Sequence, residues 1–86
     1  MEGIVLFAYL HTVLIKTLIM NYRVFTRTWW TFNESWPNGL EPCPGEKDYI
    51  EDFETESEAR EFCQYNNANN LPDHNPLSLK YEYESI

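Results

Sequence analysis

Three side chains in this 86-residue chain could do thiol or metal chemistry: Cys43, Cys63 and His74. A thiolate beside an imidazole is a nucleophile, and the same trio could gather a soft divalent metal. Their spacings follow no zinc motif. Cys63 falls on the apolar side of a helical pattern, where a thiol serves as a small core side chain. Cys43 lies between two prolines and reads as loop packing, and Asp73 and His74 sit in a proline-flanked turn. No catalytic residue, metal ligand or cofactor is assigned, and the chain reads as a non-enzyme.

The second constellation is acidic. Glu46, Asp48, Glu51, Asp52, Glu54, Glu56, Glu58 and Glu61 crowd one stretch, with Lys47 and Arg60 interspersed. Such a run can stand in for phosphates and steer a basic partner. Its plainer meaning is a solvated strand edge followed by a helix N-terminus. It lacks the ligand spacing and glycine of a calcium loop. The formal charge of −8 disfavours nucleic acid, because phosphate backbones repel it.

Aromatic residues supply the third. Arg23, Phe25, Arg27 and Trp29 alternate onto one strand face and could form a platform for single-stranded nucleic acid. A neighbouring strand would set Lys80, Glu82 and Glu84 beside them, so cross-strand Arg–Glu pairs would neutralise the platform. Trp36 stands in a proline-rich loop with Leu40. It is either clamped onto a sheet or offered to a partner, since tryptophan is enriched at binding hot spots. The candidate protein-binding residues are therefore Trp36, Leu40, Glu51, Asp52, Glu54, Glu58 and Glu61.

Elements must position these groups. Residues 22–32, YRVFTRTWWTF, hold β-branched and aromatic residues with no glycine or proline and predict a first strand. Alternation sends Tyr22, Val24, Thr26, Thr28 and Trp30 to one face. Residues 33–47, with three prolines and two glycines, predict a long loop with a turn at WPNG. Residues 48–54 predict a second strand. Thr55 and Glu58 have capping-box spacing, and Ala59, Phe62, Cys63 and Asn66 share one face of the helix that follows. The asparagines before Pro72 should end that helix through a left-handed residue. LSLKYEYES then alternates, with Leu77, Leu79, Tyr81 and Tyr83 inward and Ser78, Lys80, Glu82 and Glu84 toward solvent. The fold class is α+β: a small β-β-α-β domain with a three-stranded sheet in the order 2-1-3 and one helix on one face. A chain this short buries only about 60% of its unfolded surface, so its 16% aromatic content suits it.

The first residues differ from the rest. Residues 4–20, IVLFAYLHTVLIKTLIM, would gain roughly −3 to −6 kcal/mol from their apolar side chains on insertion, against up to about 3 for Lys16. That makes a marginal span. Glu2 stands where a signal peptide needs a basic region, and no small-residue cleavage site follows. Residues 1–19 therefore read as a spurious extension, a membrane anchor or a packed helix, with residues 20–86 as the single small domain. Arg23 and Arg27 follow the segment, so an anchor would place the C-terminus inside.

The runs RVFTRTWW, WPNGLEPC, GEK and TESEAREFCQYNN resemble a group of short uncharacterised proteins encoded in tailed-phage genomes, over about residues 22–84. The resemblance carries over no functional residue. It implies a phage or prophage origin and a product starting near Met20. The resulting expectation is a non-enzymatic accessory protein in the cytoplasm of an infected bacterial host. It would bind a host or phage protein with a basic surface, through its acidic surface, the 33–47 loop, or both. The alternative is a small single-pass inner-membrane protein with a cytoplasmic acidic domain, which needs residues 1–19 to be real.

Overall fold

The computed structural model describes residues 19–86. The readings of the apolar segment up to Leu18 lie outside the described residues. Chain order is β1 (Tyr22–Arg27), β2 (Trp30–Phe32), β3 (Leu40–Pro42), β4 (Asp48–Phe53), α1 (Glu56–Asn69) and β5 (Lys80–Ser85). β1, β4 and β5 form a three-stranded sheet in the order β4-β1-β5, and β2 and β3 form a separate two-stranded sheet. β1 is antiparallel to both neighbours, so β4 and β5 run parallel to each other with α1 as the crossover. This is the order and class that the sequence predicts. Among the described residues, no helix is long and apolar enough to cross a membrane.

The core forms where α1 meets β1. Val24 and Ala59 are fully buried and Cys63 nearly so, with Tyr22, Phe53, Phe62, Tyr81 and Tyr83 packed around them. The predicted helix face is the observed one. Thr55 is the N-cap in extended conformation, and its hydroxyl oxygen accepts from the Glu58 amide at 3.2 Å. The reciprocal half of a capping box is replaced by the Thr55 hydroxyl donating to the Glu58 carboxylate at 2.9 Å. Glu56 and Glu58 in the first turn complement the helix dipole.

Four expectations are corrected. The predicted strand over 22–32 is two strands with a break at Thr28–Trp29. Its register explains the break: Thr26 is the last β1 residue opposite β4, and Arg27 the last opposite β5. Beyond Arg27 the backbone needs other partners. The Leu77 carbonyl accepts from both Trp29 and Trp30, while Thr28 accepts from Gly45 at 2.8 Å. Gly45 suits this close approach, because a Cβ would sit 2.5 Å from the Thr28 hydroxyl and force it to shift.

The predicted 33–47 loop contains β3, which pairs Leu40 with Phe32, Glu41 with Thr31 and Pro42 with Trp30. The last strand starts at Lys80, not Leu77. Ser78 takes a left-handed φ of 57°, and the Asn75 amide bridges both backbone groups of Leu79. Leu77 and Leu79 are thus held by a turn ahead of the strand. Finally, α1 ends without a left-handed residue. Asn70 has φ −124° and its amide donates to the Asn66 carbonyl, while Asn66, Asn69 and Asn70 side chains bond back along the helix.

The energetics of α1 follow from this packing. Phe62 lies 5.2 Å from Phe53 and 6.3 Å from Tyr81, ring centre to ring centre, and is half-buried. Phe62→Ala should cost about 3 kcal/mol, near the low end for a phenylalanine truncation. Thr55→Ala should cost about 1 kcal/mol through the lost cap. Urea unfolding of both variants checks this, and a larger loss at Thr55 would contradict the assigned helix face.

Candidate functional site

The sheet face away from α1 carries the basic and aromatic residues of β1. Arg27 Nε donates to Glu82 Oε2 at 3.1 Å, and the Trp29 indole N–H donates to the same oxygen at 3.0 Å. The Arg27 guanidinium stands 4.2 Å from the Trp29 ring centre. Lys47 pairs with Glu84 and also lies 4.8 Å from the Phe25 ring centre. Arg23 lies 4.8 Å from the ring of Tyr49, which meets Phe25 edge-on. Phe25 is consequently only 3% exposed although, among the described residues, no helix covers it. The hydrocarbon stems of long cations and a neighbouring ring bury it instead.

This layer corrects the solvent-facing assignment of Glu82 and Glu84, whose side chains are 27% and 30% exposed and ion-paired. It also meets the expectation of cross-strand pairing on the basic–aromatic face. The faces of Phe25 and Trp29 are taken by Arg27 and Lys47, and both cations are taken by carboxylates.

The acidic residues gather along the β4 edge and the start of α1. Glu51 and Asp52 lie on β4, Glu54 follows it, and Glu58 belongs to the first turns of α1. Together with Met20 and Phe53 these four line one concavity of about 350 Å³. Glu58 and Glu61 also border a neighbouring groove of about 520 Å³ with Phe53, Phe62, Tyr65 and Asn66. Among the described residues, Glu56 is the member of the run from Glu46 to Glu61 that pairs with a cation, Arg60 at 3.5 Å.

Trp36 and Leu40 belong elsewhere, to the β2–β3 hairpin, Trp36 in its turn and Leu40 at the start of β3, and the structure does not join them to the acids. The tip between these strands is ordered by its own bonds. The Asn33 amide donates to the Gly39 carbonyl, Gly39 to Trp36, and Trp36 to Asn33, all within 3.1 Å. The Asn33 side chain accepts from Ser35 and donates to Glu41, and Asn38 accepts from Leu40. Gly39 has φ 75°, which closes the WPNG turn as its composition predicts. Trp36 is 42% exposed and Leu40 half-buried. Phe32, 68% exposed beside them, was not among the sequence candidates. Its signal was hidden because residues 22–32 read as one strand with both faces covered.

Cys63 is buried, and burial pushes its thiol above the ordinary range, with Glu82 adding to the effect. It stays protonated and poorly nucleophilic. Cys43 is exposed, as is His74, and among the described residues no three metal-ligating side chains come together. No family model matches the chain, and neither curated proteins nor solved structures give a match.

Two outcomes are expected. Glu82→Ala should destabilise by about 1 kcal/mol, since a partly exposed carboxylate then leaves Arg27 and the Trp29 N–H without their shared acceptor. With Arg27→Ala already present the same change should cost less, which a double-mutant urea series measures. In the folded chain a maleimide should label Cys43 alone, reaching Cys63 only on denaturation. Mass spectrometry of labelling at both cysteines under native conditions would contradict the packing of α1.

Proposed function

We propose that this chain is a small non-enzymatic accessory domain of tailed-phage type, acting in the host cytoplasm by binding another protein. The observation that carries this reading is the β2–β3 hairpin. It holds Trp36 and Phe32 in exposed positions on a tip already fixed by its own hydrogen bonds. A rigid loop presenting aromatic rings loses little conformational entropy on docking, and aromatic rings are the usual anchors of protein interfaces. The acidic flank supports the same reading, because unpaired carboxylates favour a basic partner and steer its approach. The occupied rings and cations of the other sheet face argue against base stacking as the alternative.

Trp36→Ala should change stability by less than about 1 kcal/mol, because the tip's bonds are made by backbone and asparagine groups. It should abolish recovery of a specific protein from host lysate, whereas Tyr65→Ala, an exposed aromatic on α1, should not. Recovery should also weaken as salt screens the acidic flank. Equal recovery by wild type and Trp36→Ala would refute the hairpin as the binding element.

A further inference from the structure

The two edges of the three-stranded sheet are finished differently. On the β5 side the amide of Asn67, projecting from α1, donates to the Tyr81 carbonyl at 3.0 Å and accepts from the Tyr81 N–H at 2.8 Å. That side chain occupies the place where an added strand would bond. On the other side β4 pairs with β1 alone, and no described residue supplies a second strand. A row of outward backbone donors and acceptors is a template for strand addition.

We propose that β4 is the strand-addition edge of this domain and that it takes an extended, basic segment of a partner protein. This rests on the reading of the chain as a protein-binding domain and names a second element for it beside the hairpin. Three observations fix the occupant. Five of the six β4 residues are exposed, among them Tyr49 at 57% and Ile50 at 47%, so an added strand would cover apolar surface. A concavity of about 430 Å³ lies along this edge, lined by Met20, Tyr49, Ile50, Glu51 and Asp52, and can receive one of its side chains. The charge at the edge is negative: Asp48, Glu51 and Asp52 make no ion pair among the described residues, while nearby Lys47 is turned to Glu84 and Arg23 to Tyr49.

A second copy fits poorly. Antiparallel β4–β4 pairing would gather Asp48, Glu51 and Asp52 of both copies on one short ribbon as opposed or diagonal neighbours, and like charges so placed destabilise a sheet. A lysine- or arginine-bearing strand gains where a copy loses. The irregularity in the β1–β4 register at Ile50 narrows the choice further. A bulge bends an edge and blocks long, flat, indiscriminate pairing, so a short segment registered on Glu51–Phe53 is favoured over aggregation.

The probe is a capped hexapeptide of alternating lysine and valine, titrated into the full chain at low salt. Its comparators are the glutamate–valine hexapeptide and a lysine–valine hexapeptide with alternate amides N-methylated. The basic peptide should slow hydrogen exchange of β4 amides and shift their resonances. The acidic peptide should not bind, N-methylation should weaken binding at least tenfold, and Glu51→Lys should do the same. Trp36→Ala should leave probe binding unchanged, which separates this edge from the hairpin. Equal affinity of the N-methylated peptide would show charge adhesion without strand pairing and overturn the proposal. So would resonance shifts confined to the hairpin, or no binding at all, even where Trp36-dependent recovery of a partner persists.

Discussion

Everything in the three-stranded sheet depends on how closely α1 approaches β1 at Val24. The helix presents Ala59 and Cys63 there, two small side chains, and Val24 is completely enclosed between them and the flanking rings. A larger residue at position 59 would lift the helix and open the contacts of Phe53, Phe62 and Tyr81 together. Among the described residues no second core cluster compensates, so half-buried aromatics must do much of the burial. The N-cap at Thr55 and the asparagine bonds at the far end matter because they hold α1 in register with that single contact.

β1 has a second face, and it is closed by different means. Phe25 is buried there under Lys47, Arg27 and Tyr49, with Glu82 and Glu84 tying the cations down. The arrangement keeps charged heads in partial contact with water while their stems exclude it from the ring. It also leaves little of that face for a ligand. The proposed binding elements accordingly lie at its margins: the hairpin that carries Trp36 and the edge at β4.

How much of this the amino-acid order reveals depends on the range of the interaction. The helix, its cap and its buried face are local, periodic features, and Thr55, Ala59 and Cys63 could be placed from spacing alone. So could the central position of β1, whose two bulky faces require cover on both sides. The break after Arg27 could not. Nothing in TRTWWTF marks it, because it arises where β4 and β5 both run out and Leu77, fifty residues away in the chain, offers its carbonyl. β3 was obscured likewise by prolines that suit a loop, although Pro42 at the end of an edge strand needs no N–H donor. Glu82 and Glu84 alternate as solvent-facing residues should, and only their partners, Arg27 and Lys47, draw them in. The gathering of Glu51, Asp52, Glu54 and Glu58 followed from their sequence proximity; the prominence of Phe32 did not.

In the unbound protein the hairpin and the sheet are both fixed, the hairpin as the proposed binding element and the sheet as its support. Native-state hydrogen exchange, followed amide by amide, tests it most directly. Val24, Phe25 and Thr26 should exchange only through global unfolding, and Asn33 and Gly39 should exchange far more slowly than an unstructured chain. Asn33 and Gly39 exchanging at unstructured rates while β1 stays protected would contradict the account, because the tip would then be ordered only by a partner.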